Sequence, residues 1–191
     1  AKKYGSYSVI DNRHGPEDYE YVTKKQKEII FPYLKNLIRK EDNTLLDFGC
    51  GPGRFTNDLA NLINGSALGF DPTKQFINMC KRNNQTSFTY DLNDLKEKQV
   101  KFNVIWICLV LGGISNSELN NTANMLEDIL SENGLLFFVE STGSKFIDGR
   151  WRIRTFENYK NLFHFAYIKK LGTYFDVGQE ISIMGGRKIR K

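Results

Sequence analysis

Apolar positions along the chain switch repeatedly between helical and extended spacing. Tyr21, Ile29, Ile30, Tyr33, Leu34 and Leu37 fall on one stripe and predict a helix from Glu17 to about Lys40, with Pro32 as a point where it can kink or divide. Residues 1–16 contain the breakers Gly5, Gly15 and Pro16 and read as irregular. Thr44 to Phe48 reads as a short buried strand that runs into Gly49-Cys50-Gly51-Pro52-Gly53, and the next helix carries Phe55, Leu59, Leu62 and Ile63 on one face. The alternation continues with a strand at 66–70, a helix at 73–82, a strand at 87–90 and a polar segment through Gln99. Phe102 to Leu109 is apolar enough to be a strand buried on both faces. A helix at 116–131 aligns Leu119, Ala123, Leu126 and Leu130, and a strand follows at 135–139. Past Glu140 the pattern changes to a Gly-, Ser- and Arg-rich loop, a short helix at 156–163, and two strands near 166–172 and 179–185 that can pair antiparallel. Strands alternating with helices predict an α/β fold around a parallel sheet with right-handed crossovers.

Length adds that 191 residues fit one domain, and 40% hydrophobic residues suffice for one core. No apolar run approaches the ~20 residues that span a bilayer. The polar start at Ala1-Lys2-Lys3-Tyr4 shows no signal peptide, and a cytoplasmic location is expected, although a segment ahead of position 1 stays open. Three dispersed cysteines, Cys50, Cys80 and Cys108, suit reduced thiols. No Cys/His cluster has metal-ligand spacing, so no metal is expected. The net charge of +5 is uneven. Residues 1–40 carry 9 basic and 5 acidic side chains, residues 41–140 carry 7 and 13, and residues 141–191 carry 11 and 4. Basic flanks around an acidic middle favour an anionic partner at the flanks.

The glycine turn narrows the chemistry. Glycines between a strand and a helix let backbone approach a ligand at the top of a sheet. The dinucleotide fingerprint G-x-G-x-x-G fails here, because Arg54 or Thr56 stands where its last glycine belongs, and no G-K-[ST] ending marks a P-loop. Asp71 follows the second strand, where a carboxylate can accept from both hydroxyls of a ribose. Asp91 follows the third strand, where it can accept from an adenine amino group. With Asp47 beside the turn, this set repels a diphosphate and suits a cationic sulfonium nucleoside.

Leu46-Asp47-Phe48-Gly49-Cys50-Gly51-Pro52-Gly53, Gly69-Phe70-Asp71-Pro72, Tyr90-Asp91-Leu92 and the apolar strand Phe102 to Leu111 resemble, in order and spacing, the motifs of the class I S-adenosylmethionine (SAM)-dependent methyltransferases. The resemblance covers roughly residues 40–140. It implies a Rossmann-like α/β fold whose seven-stranded sheet is mostly parallel with an antiparallel last strand and helices on both faces. It implies SAM as cofactor and S-adenosylhomocysteine (SAH) as product. Gly49 and Gly51 pass under the methionine part; Asp71 takes the ribose; Asp91 and Leu92 bracket the adenine; Cys108 and Leu109 line the pocket floor; Asp47, Cys50, Gly53 and Pro72 complete the cofactor-binding set. Arg54 stands where some members pair an arginine with the SAM carboxylate, and otherwise reads as a surface helix residue. Asp71 otherwise reads as a cap of the helix that Asp71-Pro72-Thr73 opens.

Acceptor and base candidates lie in the flanks. Arg150, Arg152 and Arg154 alternate and, if extended, share a face that can clamp an anion; the alternative is a solvated strand edge. The stretch from Arg154 to Tyr159 resembles a helix start that many small-molecule methyltransferases place beside the acceptor. Tyr4 and Tyr7 can close an N-terminal lid. His14, His164 and Glu140 are the base candidates. Nucleobase amino-methylating enzymes carry Asn/Asp-Pro-Pro-Tyr/Phe after strand 4, and catechol-type enzymes carry acidic metal ligands there; Cys108-Leu109-Val110-Leu111 has neither. Trp106-Ile107 with Val110-Leu111-Gly112 resembles the protein α-N-terminal methyltransferases, but Gly113 stands where that pattern has His.

The expectation is one methyltransferase domain: residues 1–40 as lid and helix, 41–140 as SAM-binding core, 141–191 on the substrate side. Its acceptor is expected to be a small, anionic molecule, such as a nucleotide sugar, a phosphorylated metabolite or a polysaccharide precursor, methylated on a hydroxyl or phosphate-type oxygen. Nucleic acid is disfavoured as a partner, because the short chain adds no recognition domain. An RNA- or protein-modifying enzyme and a non-catalytic SAM-binding module stay open as alternatives, as does the oligomeric state.

Overall fold

The structure, a computed structural model, describes residues 9–11, 13–93, 95, 99–143 and 151–189. Its seven strands form one sheet in the order β3-β2-β1-β4-β5-β7-β6, a Rossmann-like arrangement. They are β1 (Thr44–Phe48), β2 (Ser66–Phe70), β3 (Thr86–Thr89), β4 (Phe102–Cys108), β5 (Leu130–Ser141), β6 (Lys169–Asp176) and β7 (Gln179–Arg187). The helices are α1 (Tyr19–Lys35), α2 (Thr56–Leu62), α3 (Lys74–Met79), α4 (Asn116–Ile129) and α5 (Phe156–Leu162). Compact packing divides the chain into two units, residues 1–92 and 93–191.

In the first unit β1, β2 and β3 pair parallel, so the turns after all three leave from the same edge. Leu45 and Leu46 of β1, Leu59 of α2 and Ile30 and Leu34 of α1 are completely buried. Val22, Gln26, Ile30 and Leu34 recur every four residues and line the buried face of α1. Pro32 stands inside α1 without ending it. The helix stops at Lys35, short of the expected Lys40, because a tight turn takes over. Leu37 and Ile38 N–H both donate to Leu34 O, and the buried Asp42 carboxylate accepts from Arg39 N–H at 2.7 Å. α3 is also shorter than expected, since Cys80 adopts an extended conformation.

In the second unit β4 and β5 pair parallel, and β7 runs antiparallel to both β5 and β6. Trp106 of β4 stacks on Phe137 of β5 at 5.2 Å, and both are completely buried. The strand expected over 135–139 begins instead at Leu130, with Asn133 at φ 60° and a register shift against β4. β6 lies C-terminal of its expected span, at the sheet edge. Its residues are only half-buried or exposed, so its hydrophobic signal is weak. The turn from β6 to β7 is Val177-Gly178, both at positive φ, the primed hairpin geometry.

Candidate active site

The glycine turn of the first unit is pinned to the end of β2. Gly49 and Cys50 N–H both donate to Phe70 O at 2.8 Å, and Gly53 N–H donates to Cys50 O at 3.0 Å. Gly51 and Gly53 sit at φ +54° and +81°, in the left-handed region that favours glycine. Both also lack room: a Cβ on Gly51 would stand 2.9 Å from Val9 Cγ1, and one on Gly53 would stand 3.2 Å from the Phe88 ring. The N-terminal segment therefore reaches the turn through Val9.

Asp71, at the end of β2, is 9% exposed. One carboxylate oxygen accepts from Gly51 N–H at 3.1 Å and the other from Thr73 N–H at 2.8 Å. Asp71 thus closes the turn ahead of α3, whose N-cap is Thr73, and the same carboxylate also anchors the glycine turn. Asp47 is buried and accepts from the Thr56 hydroxyl at 2.6 Å. Burial pushes its pKa up to about 7, and the charge of Asp71 adds to that; the Thr56 bond and the Arg54 charge oppose it. Cys50 is buried. Its thiol and that of Cys80 both lie against Gly51 O, at 3.4 and 3.6 Å. Asp91, after β3, is exposed, and its N–H donates to Thr89 Oγ1. Leu92 and Pro72 are half-buried and exposed, respectively.

Arg54 supplies the test of whether a SAM-like amino acid fits. Its Nη2 donates to Gln26 Oε1 at 2.9 Å, and its guanidinium lies 4.5 Å from the Phe55 ring centroid. Its Nη1 is buried with no hydrogen-bond partner. A buried guanidinium nitrogen without an acceptor is costly, and the carboxylate of an amino-acid ligand would relieve it. The sequence reading missed Gln26. The signal was a lone amide on the buried face of α1.

In the second unit, β4 ends at Cys108, half-buried, and Leu109 follows at φ 55°. A non-glycine residue in that region is strained and marks a place where the backbone is held for a purpose. Glu140, at the end of β5, does the holding. Its Oε1 accepts from Val110 and Leu111 N–H, both at 2.7 Å, while its Oε2 is buried with no partner. Burial pushes the Glu140 pKa up to about 7, against the backbone N–H bonds and the Arg154 charge. Glu140 is completely buried, so it positions the turn after β4.

Two acceptor candidates are corrected. Arg154 is 9% exposed, and its guanidinium donates to Leu111 O, Ile114 O and Asn116 Oδ1 at 2.7 to 2.9 Å. It staples the turn after β4 with three of its five N–H donors and is buried there, not aligned on an exposed strand edge. Tyr159 is completely buried, with its ring edge-on to Phe138 at 5.6 Å. Burial and the Glu140 charge hold its phenol protonated. Arg152 is half-buried, and its N–H donates to Gly112 O at 2.8 Å. His164 is exposed, and His14 lies with Nδ1 3.9 Å from Asp18 Oδ2. Tyr4, Tyr7 and Arg150 lie outside the described residues. Among the described residues, no helix is long and apolar enough to cross a membrane.

A family model described as a methyltransferase domain matches residues 21–176. No curated protein matches the chain significantly in sequence. Among solved structures, the chain is similar to magnesium protoporphyrin IX methyltransferase from Synechocystis PCC 6803, which carries bound SAH. The TM-score is 0.74 at 13% identity, covering 98% of this chain and 94% of that one. It is similar to the PH0226 protein from Pyrococcus horikoshii OT3, with TM-score 0.69 and 16% identity over 95% and 98% of the two chains. It is also similar to the N-methyltransferase NodS from Bradyrhizobium japonicum WM9 in complex with SAH, with TM-score 0.60 and 18% identity over 78% and 79%. At these identities the likeness is one of fold. The family match spans well over half of the sequence, and with it the chain belongs to the class I SAM-dependent methyltransferases.

Proposed function

We propose that this methyltransferase acts on a small anionic acceptor, methylating a hydroxyl or phosphate-type oxygen. In that scheme residues 41–140 serve SAM and residues 141–191 serve the acceptor. SAM supplies an activated methyl group on a sulfonium, so the protein's work is to bind, align and exclude water. Gly49 and Gly51 present backbone to the methionine portion. Arg54 takes the carboxylate, and this part of the reading rests on its orphaned Nη1. Asp71 is already fixed by two backbone N–H groups, so it can accept from ribose hydroxyls without losing its position. Asp91, exposed after β3, is free of burial cost and can meet an adenine amino group. Glu140 and Arg154 hold the turn after β4 that faces the acceptor.

The anionic acceptor is supported by the charge of residues 141–191, where 11 basic side chains stand against 4 acidic ones. The test is SAH release with a panel of acceptors matched in size, some bearing phosphate or carboxylate and some neutral. Turnover confined to the anionic members is the expected result. A preference for neutral amines overturns the reading.

A further inference from the structure

The cysteines are dispersed in sequence, yet the fold brings two of them together at the glycine turn. Cys50 lies in the turn and Cys80 directly follows α3; both are free thiols, buried in one cluster with Ile77 and packed against Phe88. Their sulfurs stand 3.4 and 3.6 Å from the same atom, Gly51 O, and the two thiols hydrogen-bond each other. Cys80 Sγ also lies 3.3 Å from Phe76 O. The pair is asymmetric. The hydrogen bond from Cys50 holds the Cys80 thiol below its ordinary pKa, with help from the Arg82 charge and against burial, Asp47 and Asp71. The same bond, together with burial, pushes the Cys50 thiol up. Cys80 is thus the better nucleophile and Cys50 the resolving thiol.

We propose that Cys50 and Cys80 form a redox modification site, closed to a disulfide by hydrogen peroxide, and that this bond weakens SAM binding. The Cys80 sulfur attacks one peroxide oxygen, the O–O bond breaks, and a sulfenic acid forms as the first water leaves. The Cys50 sulfur then displaces the sulfenic hydroxyl, which takes the Cys50 proton and leaves as the second water. The two thiols give up two electrons and two protons, and the peroxide is reduced to water. Neither sulfur of the disulfide carries a proton, so both lose the ability to donate to Gly51 O. The S–S bond also draws the sulfurs to about 2.05 Å, which moves either the turn or the end of α3. Asp71 is disturbed in both cases, because its carboxylate accepts from Gly51 N–H in the turn and from Thr73 N–H ahead of α3. The proposal goes beyond the choice of acceptor and rests only on the SAM site at the glycine turn.

The test compares the full chain reduced with dithiothreitol and treated with hydrogen peroxide. Peptide mapping by mass spectrometry is expected to find a Cys50–Cys80 link that dithiothreitol reverses. In calorimetry the linked chain should bind SAH about tenfold more weakly, within the ordinary range of coupling between sites. By reciprocity, saturating SAH should then raise the midpoint potential of the pair in a glutathione titration by about 30 mV. Cys80→Ser keeps a hydroxyl donor near Gly51 O, forms no such link, and should bind SAH with an affinity that no longer responds to peroxide. A response that persists in Cys80→Ser belongs to another residue and overturns the proposal. So does a parent chain that forms no Cys50–Cys80 link while folded, or a linked chain that binds SAH as the reduced chain does. These failures differ from failure of the SAM site itself, which would show as no SAH binding by the reduced chain and would remove the switch with it.

Discussion

At the residue scale, the carboxylates and glycines after β1 and β2 were legible because each combines an unusual residue type with a fixed place in the strand–turn–helix pattern. Gly51 and Gly53 occupy positive φ in a crowded turn, and Asp71 stands at the exit of a strand. Arg54 was ambiguous in sequence because a single arginine after a glycine can equally be surface. In the structure Nη1 is buried and unpartnered while Gln26 holds Nη2, unlike a solvated surface arginine. The account predicts that Arg54→Gln weakens SAH binding about tenfold, the usual worth of a hydrogen bond to a charged group. 5′-Methylthioadenosine lacks the amino acid and should bind both proteins alike. Equal loss for both ligands in calorimetry would mean that Arg54 acts on the fold and not on the carboxylate.

At the scale of elements, the central strands and the parallel core followed from hydrophobic runs, since β1 and β4 are buried nearly throughout, whereas the seven-stranded sheet with its antiparallel last strand was implied only by the family resemblance. Edges were less legible. β6 buries little, and the bulge at Asn133 hides a strand inside a turn-like Ser131-Glu132-Asn133-Gly134. The alternation of Arg150, Arg152 and Arg154 suggested one common face. That inference assumed a regular strand, and Arg154 instead turns inward to donate to Leu111 O, which also accepts from Ile114 N–H, and to Ile114 O, around the 3-10 turn Leu111–Gly113. Arg154→Met removes three charge-assisted hydrogen bonds made by a buried guanidinium, so it should cost about 2–4 kcal/mol in chemical denaturation. Glu140→Gln keeps an oxygen for Val110 and Leu111 N–H, whereas Glu140→Ala leaves both unpaired. The first should retain most methyl transfer. The second should lower kcat by about tenfold or more while SAH affinity holds. If both variants match the parent enzyme, Glu140 does not position the turn.

At the scale of the whole molecule, two fully buried carboxyls set the pH response. Asp47 and Glu140 titrate near 7 in the folded chain and near 4 when unfolded. Between about pH 4 and 7 the folded chain keeps protons that the unfolded chain has released, so this contribution to stability is full below 4 and lost as pH rises through 7. Thermal melts should show that Asp47→Asn with Glu140→Gln flattens the slope in that window relative to the parent. An unchanged slope would mean that the buried carboxyls are already ionised at low pH. The central claim, that the turn at 49–53 and the carboxylate at the end of β2 form the SAM site, is tested most directly by calorimetric titration of SAH into the parent chain and Asp71→Asn. The account predicts saturable binding to the parent and a loss of about tenfold to a hundredfold in the variant, with its melting cooperative. Undiminished affinity in Asp71→Asn, or no heat with the parent protein, would contradict it.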